Sequence, residues 1–102
     1  MRLVTDDEIT KKLEALPDWH RADSDEQSIT ATYQFDYFST ALAFVNDVGG
    51  DAEQMNHHPD VHILWNTVIL VLSTRSEGGL TQGDFEIARR ISKRHDRWKA
   101  LR

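Results

Sequence analysis

Glu53-Gln54-Met55-Asn56-His57-His58-Pro59-Asp60, with Val61-His62-Ile63-Leu64-Trp65 directly after it, is the stretch on which the reading of this chain turns. Upstream, Phe38, Ala41, Leu42, Val45, Val48, Ala52 and Met55 recur at helical spacing on one stripe. Pro59 cannot continue a helix, and the apolar run beyond it has strand character, so the stretch is a helix-to-strand corner with two adjacent histidines. Imidazole titrates near neutrality, and a pair held at such a corner suits proton transfer. Two other readings stand beside this one. Histidines at a helix end can simply satisfy its last carbonyls. Glu53, His57, His58 and His62 also offer oxygen and nitrogen ligands to a metal. A helix would stack Glu53 over His57, but Pro59 and the following strand leave the direction of His62 open.

Working backwards, Asp36 is the expected N-cap of this central helix. Ser28 to Phe35 alternates, with Ile29, Ala31, Tyr33 and Phe35 on one face of a half-buried strand. Residues 18–22 form its hairpin partner across the polar turn Asp23-Ser24-Asp25-Glu26, with His20 on the strand or surface. Before Pro17, Thr5 and Glu8 have capping-box spacing, and Ile9, Leu13 and Leu16 predict a helix over about Asp6 to Leu16. Gly49-Gly50 interrupts the central helix at a propensity cost of about 2 kcal/mol. Either close packing against another element or subunit, or a kink, would account for it.

Working forwards, Val61–Trp65 and Val68–Thr74 read as two antiparallel strands joined at or beside Asn66. The second is apolar on both faces, so it is either central and covered or an edge that pairs with another copy; a homo-oligomer built partly through this sheet is expected. Glu77-Gly78-Gly79-Leu80-Thr81 is a tight loop with a positive-φ glycine, and Thr81 with Asp84 repeats the capping-box spacing. The last helix, about Gln82 to Ala100, faces Phe85, Ala88, Ile91, His95 and Trp98 inward, His95 at the rim. Arg89, Arg90, Lys93, Arg94 and Arg97 make a solvated or partner-binding outer face.

The 102 residues fit a single domain. Charged residues at 28% and apolar ones at 39% are ordinary for a globular protein. The formal net charge of −5 argues against direct nucleic-acid binding. With no cysteine, disulfides, thiolate catalysis and cysteine-held metals are excluded. There is neither a signal-like N-terminus nor an apolar stretch near the roughly 20 residues of a membrane span, so a cytoplasmic location is expected and no membrane partner.

With Glu53-x-x-x-His57-His58-Pro59, Trp65 and Gly78-Gly79-Leu80-Thr81-x-x-Asp84 in place, the chain resembles the pterin-4a-carbinolamine dehydratases over almost its whole length. The resemblance implies an α+β fold, order α-β-β-α-β-β-α, with a four-stranded antiparallel sheet and three helices on one face, assembled as a homodimer or homotetramer. It implies dehydration of a 4a-hydroxytetrahydropterin to quinonoid dihydropterin in tetrahydropterin recycling, a hydro-lyase reaction with no cofactor and no metal. Some animal members also serve as dimerisation cofactors of a homeodomain transcription factor, and some relatives have lost the chemistry and act as assembly factors. By position, His57 and His58 become the acid–base pair. The substrate-binding set becomes Glu53, orienting or charge-tuning His57, Pro59 fixing the corner, Trp65 beside the pterin or in the pocket wall, and Arg75. This last residue departs from the pattern, standing where the family usually has a third histidine or a tryptophan. A guanidinium does not exchange protons at working pH, which implies weakened or redirected activity, or a protein-binding or assembly role.

Overall fold

Thr5 starts the first helix as its spacing predicts. Its hydroxyl accepts from the Glu8 amide while the Glu8 carboxylate accepts from the Thr5 amide, and α1 runs Asp6–Glu14. The computed structural model describes residues 2–100. The helix closes at Ala15, short of the expected Leu16, which is buried as the chain turns past Pro17.

β1 (Trp19–Ala22) and β2 (Asp25–Gln34) form the first hairpin. The ladder shifts register between Arg21 and Ala22, and Ala22 pairs with Asp25. β2 therefore begins inside the acidic segment expected to be turn. Ile29, Ala31, Tyr33 and Phe35 are all buried, as their alternation requires.

α2 (Phe38–Met55) differs from expectation in its start and its buried face. Its N-cap position is Tyr37 rather than Asp36, with no side-chain cap bond. Its buried residues are Ala41, Phe44, Val48, Asp51 and Ala52, whereas Phe38 and Leu42 remain exposed. The stripe is rotated because α2 packs against α3 (Gln82–Ala100) as well as the sheet. The helix is unbroken through Gly49 and Gly50, and no heavy atom lies within 4 Å of where a Cβ would stand on either. Packing against another element of this chain is thus not what keeps them.

β3 (Asp60–Leu64) and β4 (Thr67–Leu72) complete an antiparallel sheet of order β1-β2-β4-β3. The apolar β4 is central: Val68, Leu70 and Leu72 are buried, while Ile69 and Val71 half-face the other side. Trp65 (φ 56°) and Asn66 make the turn. Asn66 pins it to β2, its side-chain amide donating to the Phe35 carbonyl at 2.7 Å and its own carbonyl accepting from the Phe35 amide at 2.9 Å.

After β4 comes a 3-10 turn, Arg75–Glu77, closed by Gly78 in the left-handed region (φ 75°). Along α3, Phe85, Ile87, Ala88 and Ile91 are buried and His95 and Trp98 half-buried. The outward basic face is not simply solvated. Arg94 (2.7 and 2.8 Å) and Arg90 (3.0 Å) donate to the buried carboxylate of Asp51. The Arg94 hydrogen bonds, above all, hold the Asp51 carboxyl below its ordinary range against the opposing effect of burial.

Candidate active site

The corner is built by one left-handed residue. α2 ends at Met55, Asn56 adopts φ 50°, ψ 43°, and the Asn56 and His57 amides fold back onto the Ala52 carbonyl. The helix thus stops before His57, and the turn sends successive side chains in opposite directions. His57 goes inward and His58 outward, so the expected stacking of Glu53 on His57 is not found. Glu53 lies instead 3.4 Å from His58 Nε2, both side chains well exposed.

The partner of His57 is Asp84. His57 Nε2 lies 2.5 Å from Asp84 Oδ1, and the Asp84 side chain is fully buried. Its Oδ2 accepts from the Thr74 hydroxyl at 2.8 Å and the Thr81 amide at 2.9 Å. Only half of the expected second capping box is therefore present: Asp84 reaches back to the Thr81 amide, while the Thr81 hydroxyl sits 2.8 Å from Thr74 Oγ1. Thr74 has one hydroxyl proton and gives it to Asp84, so Thr81 donates to Thr74. An ionised Asp84 can only accept, so its Oδ1 takes the proton of His57 Nε2 and leaves Nδ1 as the second ring nitrogen.

His57, His58, Asp60, Val71, Thr74 and Arg75 line a cavity of about 270 Å³. Side-chain exposure climbs from 16% at His57 through 52% at His58 to 78% at Arg75, giving the cavity a floor and a rim. Arg75 Nη2 donates to Asp60 Oδ2 at 2.5 Å, across the open end of the β3–β4 hairpin. Of the other expected residues, Pro59 is half-buried at the corner and Glu53 stands outside beside His58. Trp65 is 71% exposed at the hairpin tip. It is separated from Asp60 by the length of β3, about 16 Å at about 3.3 Å per residue. His20 and His62 are exposed on strands, and among the described residues no three or more His, Asp or Glu side chains gather as metal ligands.

Asp84, Thr74 and Asp60 carry no catalytic or binding role in the sequence reading, although Asp84 closes the motif on which the resemblance rests. The Thr81-x-x-Asp84 spacing marks Asp84, but only the tertiary fold shows it facing His57. A larger cavity, about 330 Å³, lies at the other end of α2 among Phe35, Tyr37, Thr40, His95 and Trp98. There the His95 ring packs on Tyr33 with centroids 4.2 Å apart and near Phe35 and Phe44, each at 5.8 Å. The smaller, polar cavity has the better chemistry: a fixed imidazole, a solvent-facing imidazole and a guanidinium around one space.

The family described as Pterin 4 alpha carbinolamine dehydratase matches residues 2–94. A Nocardia farcinica protein provisionally named pterin-4-alpha-carbinolamine dehydratase is 45% identical over 91 residues, 89% of this chain and 93% of that one. A Gloeobacter violaceus protein provisionally named pterin-4-alpha-carbinolamine dehydratase 2 is 44% identical over 86% of this chain and 97% of its own. The crystal structure of a transcriptional coactivator/pterin dehydratase from Brucella melitensis superposes with a TM-score of 0.86 at 33% identity, covering 91% of this chain and 98% of that one. A pterin dehydratase-like protein identified as a RuBisCO assembly factor of the alpha-carboxysome shares the fold alone, with a TM-score of 0.57 at 16% identity over 66% of this chain and 77% of that one.

Proposed function

The chain belongs to the pterin 4 alpha carbinolamine dehydratase family, and from that membership we propose that it dehydrates a 4a-hydroxytetrahydropterin to quinonoid dihydropterin in tetrahydropterin recycling, with His57 and His58 as its acid–base pair. The observation that carries this reading is the 2.5 Å contact of His57 with the buried Asp84, at the floor of a polar cavity that His58 also lines. In a carbinolamine, hydroxyl and nitrogen share one carbon. The nitrogen lone pair expels the hydroxyl once an acid protonates it, water leaves, and a base removes a ring proton. Two imidazoles supply both steps, and Asp84 keeps His57 in the tautomer that works through Nδ1. Cytoplasmic location and homo-oligomerisation belong to the same proposal. The exposed Val61, Leu64 and Trp65 along and beyond β3, with Phe38 and Leu42 on α2, support a self-associating surface.

The test is dehydration of a synthetic 4a-hydroxytetrahydropterin by the wild type and by His58→Ala. The wild type is expected to be faster by about 10²–10⁴. Equal rates would favour the second reading, a protein-binding or assembly factor on the same fold. Arg75 is the observation on that side, since a guanidinium cannot take the proton-exchanging part of a third histidine. Arg75→His should raise turnover of a pterin with a neutral side chain.

A further inference from the structure

Arg75 is a poor replacement for a proton shuttle, yet it is not turned away from the cavity. It lines it, from a turn set by the left-handed Gly78, and its guanidinium is held over the opening by Asp60 at 2.5 Å. Both partners face solvent, with exposures of 78% and 48%. A pair so exposed is weak, so it orients the guanidinium without locking it. One N–H of five is engaged in this contact, leaving the planar fork available for a bidentate acceptor.

The floor-to-rim gradient says which part of a pterin would meet it. The reacting carbon must reach His57 on the floor, which takes the bicyclic ring inward. Whatever projects from the ring toward solvent passes Arg75. A solvated guanidinium gains little from a neutral hydroxyl there, because water competes for the same hydrogen bonds, whereas a carboxylate or phosphate offers two parallel charge-assisted ones. We propose that Arg75 makes this cavity selective for a pterin whose 6-substituent carries a carboxylate or a phosphate ester, with Asp60 holding the guanidinium until that anion displaces it. The inference rests on the family reading only in taking a pterin as the ligand.

The two residues then act in opposite directions. Asp60 competes with the ligand for Arg75, so removing its charge strengthens anion binding, while removing the guanidinium abolishes the preference. The experiment titrates the intact protein with 6-hydroxymethylpterin, its phosphate monoester and 6-carboxypterin, following pterin fluorescence. The wild type should bind at least one charged pterin about tenfold more tightly than the neutral one, the size of one charge-assisted hydrogen bond in partly solvated surroundings. Which charged probe wins distinguishes phosphate from carboxylate. Asp60→Asn should widen the ratio, and Arg75→Gln should bring it close to one. A wild-type ratio of one or less overturns the proposal, as does a fall in the ratio for both variants, which would make the pair a structural tie. If the neutral pterin binds without discrimination, the selectivity claim falls and the dehydratase reading stands. If no pterin binds, both fall.

Discussion

α2 has a cavity at each end and a histidine in each, and the two could hardly be less alike. His57 meets α3 at Asp84, and His95 stands eleven residues further along that helix, about 17 Å away at about 1.5 Å per residue. At the C-terminal end, His57 has one nitrogen tied to a buried carboxylate that is itself held by Thr74 and Thr81. At the N-terminal end, His95 lies among the rings of Tyr33, Phe35 and Phe44 in the larger and more apolar space. A carboxylate sets the tautomer of the one ring, whereas aromatic faces pack against the other. Cavity size therefore says less than what holds the histidine.

His57→Ala should lower carbinolamine turnover by about 10²–10⁴, while His95→Phe should keep it within about twofold; equal losses would erase the distinction. Stability should follow the reverse geography. Phe44→Ala, at a fully buried ring in contact with Tyr33, Phe35 and His95, should cost about 3–5 kcal/mol in urea unfolding. Between the ends, Asp51→Asn should cost about 2 kcal/mol at pH 7, below the full figure for a buried pair because Arg90 and Arg94 can rehydrate. Asp51 is held below its ordinary value of 3.8, so its contribution is complete above that value and is lost as pH falls through the lower folded one. The deficit of the variant should accordingly shrink in unfolding curves taken below pH 3.8. The smallest effect is a gain. Gly50→Ala has open space and should stabilise by about 1 kcal/mol; a loss accompanied by a change in mass by light scattering would put a second copy against that face.

The two ends also differ in how far the sequence discloses them. Strand alternation and the Pro59 stop suffice for the order of elements and for the corner, because both rest on local backbone rules. The partner of His57 does not follow from such rules. Helical stacking puts Glu53 over it, and a single left-handed residue, Asn56, undoes that by ending the helix before His57. Asp84 shows in the sequence as a cap, which it is; that the same carboxylate also meets an imidazole 27 residues away depends on how α3 docks. The same limit hides the Arg90 and Arg94 clamp on Asp51, since charges that look solvated along one helix meet a partner only when a second helix lies beside it. Trp65 shows the converse. The resemblance implies a place for it beside the pterin or in the pocket wall, yet five residues of extended strand carry it to the opposite end of the sheet.

In the proposed role, Asp84 holds His57 for work on a pterin at the C-terminal end of α2. Nitrogen-15 NMR of the histidine rings, with 6-hydroxymethylpterin added stepwise, is the sharpest check of that role. His57 should carry its proton on Nε2, and pterin should shift its Nδ1 resonance while His95 stays unmoved. A His57 protonated on Nδ1 alone, or pterin-induced shifts confined to His95, would contradict it.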